Sequence, residues 1–248
     1  MRTEEYERFQ SQDADARRGV FATTAGRLGT TEFLVEKDFW VCRILDILMR
    51  EPPWVPKRFF KGGTSLSKGF DYIERFSEDV DIVFNRHSLK CEDGHKFQGD
   101  FDPGNPDAPF ASNNQRRARF DELQSACGRH MDGPLMGKLE GLLPECRVVP
   151  SDIDAQTLFV RYPSLFTEVD LDADEGEDAD YFLPRVKIEG GARSAQAPAT
   201  LRPVAPYIQT ELQGNFDLSI ENVTMIAPGR TFLENLSGED FDNSWDQL

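Results

Sequence analysis

Two carboxylates one residue apart, Asp79 and Asp81, stand in the run Ser77-Glu78-Asp79-Val80-Asp81-Ile82. The alternation of acid with aliphatic over Asp79 to Phe84 predicts a β-strand, and strand residues two apart point to one face. Paired carboxylates suit Mg²⁺ (or Mn²⁺), a hard cation that completes its shell with phosphate and water. Just before them lies Lys61-Gly62-Gly63-Thr64-Ser65-Leu66-Ser67-Lys68. Gly62 and Gly63 let the backbone approach a phosphate closely, and a helix opening after them turns free N–H groups toward an anion. The hydroxyls of Thr64 and Ser65 add possible donors to phosphate oxygens, beside the backbone amides. Lys61 and Lys68 are either phosphate partners or surface residues, with Lys68 preferred. The combined chemistry is that of a nucleoside-triphosphate and metal site, with Asp79 and Asp81 as ligands. The competing reading is a solvated strand face beside an ordinary strand–helix turn capped by Thr64; the glycine pair ahead of the acids argues against it.

Further along, Lys187-Ile188-Glu189 falls near the end of a second predicted strand, so Lys187 and Glu189 share a face. The plainer alternative is an ion pair on an edge strand.

The elements that must position these groups follow from periodicity. Apolar residues from Phe33 to Met49 recur at helical spacing after Gly29-Thr30-Thr31-Glu32, where a threonine is the candidate N-cap, and Glu51-Pro52-Pro53 stops the helix. A surface helix is predicted over residues 13–27, a short strand over 58–61 and a helix from Thr64 to Phe70. Residues 85–115, rich in Gly, Pro, Asp and Asn, read as a long loop or insertion. Helices are predicted over 115–131 and 135–143, and strands over 156–162, 181–189 and 216–225. Residues 191–206 read as an irregular connection, and a helix starts at Pro228. No internal repeat is apparent.

The wording of three segments goes beyond these generic features. A glycine pair followed by acid-x-acid resembles the nucleotidyltransferases of the DNA polymerase β superfamily. Glu36-Lys37-Asp38-Phe39-Trp40-Val41, Phe60 to Lys68, and Arg75 to Ile82, in that order, resemble the nucleotidyltransferase AbiEii toxin family of abortive-infection toxin–antitoxin pairs. The resemblance covers residues 30 to 85, with weaker echoes at 184–193 and 226–236. It implies an α/β (α+β) fold with a polymerase β-like core, a short mixed sheet and flanking helices. It implies transfer of a nucleotide from NTP to an acceptor hydroxyl with Mg²⁺, an RNA acceptor such as the 3′ end of tRNA, and a cognate antitoxin. Glu189 resembles the superfamily's third acid and Lys187 a triphosphate-binding lysine. The helix carrying Glu36, Lys37 and Asp38 is expected to pack beside the site, with Lys37 facing the nucleotide or an acid, or else to present a charged face flanking buried Phe39-Trp40-Val41.

Family members continue past a segment like Ala227 to Glu234 into a helical region with a further basic and acidic motif. Here Ser237 to Leu248 lacks it. The expected organisation is an N-terminal helical segment (1–28), a nucleotidyltransferase domain (29–236) with an insertion over about 85–150, and an irregular tail (237–248) read as a truncation. The alternative is a catalytically impaired remnant of the same fold that binds a nucleotide or a partner.

Composition sets outer bounds. The chain has 248 residues with 39% hydrophobic and 29% charged content, enough to bury a sizeable core. No apolar run reaches the ~18 residues of a membrane span, and the first dozen residues lack a signal-peptide core, so a cytoplasmic protein without a membrane role is expected. The net charge of −16 argues against a broadly basic nucleic-acid surface, though not against a local basic pocket, and no DNA-binding domain is evident. Much of the acid lies in residues 170–180, where Asp170, Asp172 and Asp174 mimic a calcium loop but Glu175 and Tyr181 stand where Gly and Glu are required. Cys42, Cys91, Cys127 and Cys146 form no CxxC pair and are expected as free thiols. A zinc site from Cys91, His95, Cys127 and His130 has loose spacing and is set aside.

Overall fold

A computed structural model describes residues 3–49, 57–74, 76–90, 112–168, 183–194, 196–212 and 214–229. Arg75, Cys91, His95, residues 91–111 of the expected insertion, the acidic run 170–180, and the tail from residue 230 onward therefore lie outside the described residues. The helices are α1 (Thr3–Gln10), α2 (Ala14–Leu28), α3 (Glu32–Met49), α4 (Gly62–Lys68), α5 (Asn113–His130) and α6 (Met136–Leu142). The strands are β1 (Arg58–Lys61), β2 (Asp79–Phe84), β3 (Arg147–Pro150), β4 (Thr157–Arg161), β5 (Arg185–Gly191), β6 (Ala199–Val204) and β7 (Ile220–Ile226). They form one mixed sheet in the order β3-β4-β5-β2-β1-β7-β6. The expected mixed α/β class is the class observed.

Strand alternation divides the sheet into two faces. Phe60, Val80, Ile82, Phe84, Leu158, Val160, Val186 and Ile188 point into a core shared with α3 and α5. On the other face Asp79, Asp81, Lys187 and Glu189 are only half-buried. Phe59, Val83 and Ile226 form a separate small apolar cluster, with Phe59 and Val83 in register across β1 and β2.

Helix α3 is the axle of the helical layer. Fourteen consecutive residues, Val35 to Leu48, are buried, so the helix is surrounded rather than half-exposed as its periodicity suggests. Tyr6 and Phe9 from α1 and Phe21 from α2 pack on it through tilted and edge-on contacts with Phe39, and Trp40 stacks on Tyr162 with ring centroids 5.0 Å apart. The N-terminal helices thus share the core of the sheet domain. Helix α2 has Asp13 as N-cap, accepting from two backbone N–H groups, and Gly29 as a left-handed C-cap.

Thr3–Gln10 is helical, inside the expected N-terminal helical segment, and is anchored by Tyr6 and Phe9 three residues apart. Two elements depart from the expectations. Arg147–Pro150 is a strand at the sheet edge. Ala199–Val204, expected as irregular, is the opposite edge strand; its Pro203 falls at the register shift between Arg202 and Val204, a position where a missing N–H breaks no ladder bond. Cys42, Cys127 and Cys146 are free thiols. Among the described residues no helix is long and apolar enough to cross a membrane.

Candidate active site

Strand β1 ends at Lys61 and the chain turns into α4 at Gly62. Gly62 has φ +74, and a Cβ added there would fall 1.7 Å from Asp81 Oδ2. Glycine is therefore required twice: for the left-handed backbone and for the close approach of the Asp81 carboxylate. Lys61 occupies the N-cap position in extended conformation and provides no side-chain cap to α4. Gly63 follows, half-buried.

The register fixes the rest. β2 and β5 run parallel with Asp79 paired to Lys187 and Asp81 paired to Glu189, while antiparallel β1 pairs Lys61 with Asp81. Lys61, Asp81 and Glu189 thus stand in one cross-strand row, with Asp79 and Lys187 in the next. Lys187 and Glu189, each more than a third exposed, form an ion pair. Lys61 also donates to Ser194 Oγ at 3.3 Å.

The electrostatics are those of crowded acids. Burial, and then Glu189, push the Asp79 carboxyl up to about 6. Burial and the hydrogen-bonded neighbour Glu189 push Asp81 up further still. Burial works against the Lys187 ammonium, but Glu189, Asp79 and Asp81 outweigh it and its pKa is raised. Such a site disfavours its own full ionisation, and a bound cation would relieve it. Among the described residues no three His, Cys, Asp or Glu side chains converge as a ready cage. Two carboxylates on one face nevertheless fit Mg²⁺, which typically takes one or two protein carboxylates plus phosphate oxygens and water.

The hydroxyls expected to face phosphate are engaged elsewhere. Thr64 is fully buried and its Oγ1 donates to the Asp79 carbonyl at 2.5 Å, with Ser77 Oγ at 2.8 Å. Ser65 Oγ donates to the Gly62 carbonyl at 2.8 Å. Both side chains brace the turn, and the surface of the cradle is backbone. Lys68 requires a correction. Its side chain is 4% exposed and paired with fully buried Asp38 at 2.5 Å; Nζ also donates to the Ala205 carbonyl at 3.2 Å and sits 3.9 Å over the Tyr207 ring. It is buried against Asp38, Ala205 and Tyr207, so the phosphate role expected for it is not available in this arrangement.

Asp38 belongs to the charged triplet whose place beside the site was expected but whose partners were not foreseen. Each of its residues is at most 1% exposed and ties α3 to a different segment. Glu36 accepts from Ser164 Oγ at 2.5 Å and from the Leu165 N–H at 2.8 Å. Lys37 pairs with Glu78, directly ahead of Asp79, so the expectation that it faces an acid holds. Asp38 accepts from the Tyr207 N–H at 2.7 Å besides pairing with Lys68. Buried charges persist only when paired and hydrogen-bonded. Three adjacent charges in a largely apolar helix were the available signal, but their partners lie up to 169 positions away.

Residues 43–235, most of the chain, match the family of the nucleotidyl transferase AbiEii toxin of type IV toxin–antitoxin systems. The chain belongs to the AbiEii family. The match contains the glycine turn and the three acids. No curated protein matches the sequence. Among solved structures, this AbiEii member is similar to MenT4, a nucleotidyltransferase toxin from Mycobacterium tuberculosis H37Rv, with 19% identity and a TM-score of 0.44 over 88% of this chain and 57% of that one. The chain thus spans little more than half of that protein's length, and so distant a likeness carries none of the argument for the site.

Proposed function

We propose that this AbiEii family member is a Mg²⁺-dependent nucleotidyltransferase that moves a nucleotide from NTP to an acceptor hydroxyl on RNA, such as the 3′ end of tRNA. The observation that carries the reading is the strand register that sets Asp79, Asp81 and Glu189 on one sheet face, with Asp81 closed against the glycine turn at Gly62. Asp79 and Asp81 would hold Mg²⁺ (or Mn²⁺), which would supply positive charge to offset the charge developing in the transfer. The Gly62 and Gly63 backbone and Lys187 would hold the triphosphate, while Thr64 and Ser65 keep the turn in shape. Lys61, in register with Asp81, is a second cation on the same face.

In the transfer, the acceptor oxygen forms a bond to the α-phosphorus and the bond from that phosphorus to the β-bridging oxygen breaks, so that pyrophosphate leaves. The hydroxyl proton goes to a carboxylate, for which Glu189 is placed beside Asp81 and held by Lys187. As in other members of toxin–antitoxin pairs, activity would be restrained by a cognate antitoxin, in the cytoplasm where NTP and RNA meet.

The test is to incubate the purified chain with each labelled NTP, Mg²⁺ and total RNA. Labelled RNA and released pyrophosphate are expected, and Glu189→Gln should slow transfer far more than it weakens NTP binding, because a proton acceptor acts chiefly in the transition state. Transfer at the wild-type rate by Glu189→Gln removes Glu189 from the catalytic set.

A further inference from the structure

The two proposed metal ligands are held in the sheet differently. Asp81 lies inside it, paired with Lys61 of β1 and with Glu189 of β5. Asp79 is the first residue of β2; it pairs with Lys187 of β5, while the ladder with β1 starts two residues later, at Asp81. The ends of elements, with fewer ladder bonds, open at the lowest cost. Side chains tie down the chain that enters β2. Ser77 Oγ lies 2.8 Å from Thr64 Oγ1, and the Asp79 carbonyl accepts from that hydroxyl at 2.5 Å. Between them, Glu78 pairs with Lys37 of α3.

Stability is a poor reason for the Lys37 pair. Lys37 is buried and Glu78 half-buried, and burial, against the pull of Glu78, lowers the Lys37 pKa. Apolar residues of similar volume often serve as well as a buried ion pair, whose best-attested use is to fix one arrangement among several. The arrangement fixed here is at the site. Helix α3 is buried from Val35 to Leu48, and the residues flanking Lys37 are anchored in turn, Glu36 on the Leu165 N–H and Asp38 on Lys68. Lys37 therefore projects from a rigid frame. It reaches Glu78 from the core side of the sheet, while the next residue, Asp79, falls on the other face. It is also close enough to be among the charges that act on Asp79.

We propose that Lys37 is a positioning residue for metal binding: by holding Glu78 against α3 it fixes the backbone at the start of β2, and so aims the Asp79 carboxylate at a cation shared with Asp81. The inference rests on the reading of Asp79 and Asp81 as metal ligands and names what sets one of them in place. Its effect has a sign that charge alone cannot produce. Lys37 is a cation near a cation site, so by Coulomb repulsion alone its removal should tighten metal binding. Loss of a group that orients a metal ligand weakens binding instead, typically by about 10–100-fold.

The test measures Mn²⁺ binding to the full chain with a non-hydrolysable NTP analogue present, from the electron paramagnetic resonance signal of free Mn²⁺, with thermal unfolding followed alongside. Lys37→Met should raise the Mn²⁺ dissociation constant about tenfold or more. An unchanged or lower constant in folded Lys37→Met overturns the proposal and leaves the pair a purely structural role. If Lys37→Met does not fold, Lys37→Met combined with Glu78→Gln replaces the pair by neutral groups. The pair's net charge is then zero, as in the wild type, and stability should recover, yet Mn²⁺ should still bind about tenfold more weakly. Wild-type affinity in that protein is equally fatal. Asp79→Ala separates the positioning role from the site itself. Binding lost in Asp79→Ala but intact in Lys37→Met removes the positioning role alone. A wild type that binds no Mn²⁺, or binds it as Asp79→Ala does, contradicts the metal-site reading, and the role of Lys37 falls with it.

Discussion

Lys68 separates two accounts of the turn after β1, and its replacement by methionine distinguishes them. In the structure Lys68 and Asp38 are 4% and 0% exposed and paired at 2.5 Å. Burial alone raises the Asp38 pKa, and Lys68 is the leading influence holding it down. Lys68→Met removes that counter-charge and leaves a buried carboxylate supported by the Tyr207 N–H at 2.7 Å. Removing one partner of a buried pair costs about 3–5 kcal/mol; protonation of Asp38 limits the loss, so about 3 kcal/mol is expected. Against a typical total of 5–15 kcal/mol this is a large fraction. Asp38→Asn with Lys68→Met replaces the pair by neutral groups and should recover about half of the loss, giving a coupling of 1–3 kcal/mol in a double-variant cycle. Urea denaturation of the four proteins measures the cycle, and Mg-NTP binding below the transition tests the site. A Lys68→Met protein of wild-type stability with much weaker NTP binding would refute the assignment of Lys68 to the core and return it to the phosphate.

Two other positions make separate tests. Gly62→Ala combines a left-handed backbone with a Cβ at 1.7 Å from Asp81 Oδ2, so Asp81 must move; loss of Mg-NTP binding is expected, together with a stability loss of at least about 1 kcal/mol from backbone strain, and retained binding by titration calorimetry argues against this turn. His130 packs edge-on against Phe84 with ring centroids 4.9 Å apart, and burial, helped by Arg58, pushes its pKa down to about 4 from 6.5. The unfolded chain then binds the proton first as pH falls, so this group's contribution is intact above pH 6.5 and is lost progressively toward pH 4, by at most about 3 kcal/mol. Asp79 and Asp81 have raised values and act with the opposite sign, so the comparison is His130→Phe against wild type: the variant should lose less stability between pH 7 and 4.5, and parallel pH profiles would refute the assignment.

The strands at the centre of the sheet were legible because their side chains alternate. Arg58–Lys61 and Asp79–Phe84 match their expected bounds, and the shared face of Asp79 and Asp81 follows from that alternation alone. The pairing of β2 with β5 was not legible: it joins positions about a hundred residues apart, and it is this register that brings Glu189 to Asp81. Edge strands β3 and β6 were missed because each carries a proline, where propensity says little and neighbouring strands decide. Lys68, Thr64 and Ser65 looked like phosphate groups because a helix opening after two glycines fixes their spacing but not which way they turn. That choice is made by Asp38 and the Asp79 and Gly62 carbonyls, partners that only tertiary packing supplies.

The central claim is that Asp79 and Asp81, closed against Gly62, form the metal and nucleotide site. The direct measurement is titration of the purified chain with NTP in the presence and absence of Mg²⁺, for wild type, Asp79→Ala and Asp81→Ala. Binding by wild type that requires the metal, and its loss in both variants without loss of the folded state, is the predicted result. Equal binding by all three proteins, or wild-type binding indifferent to Mg²⁺, would contradict the account.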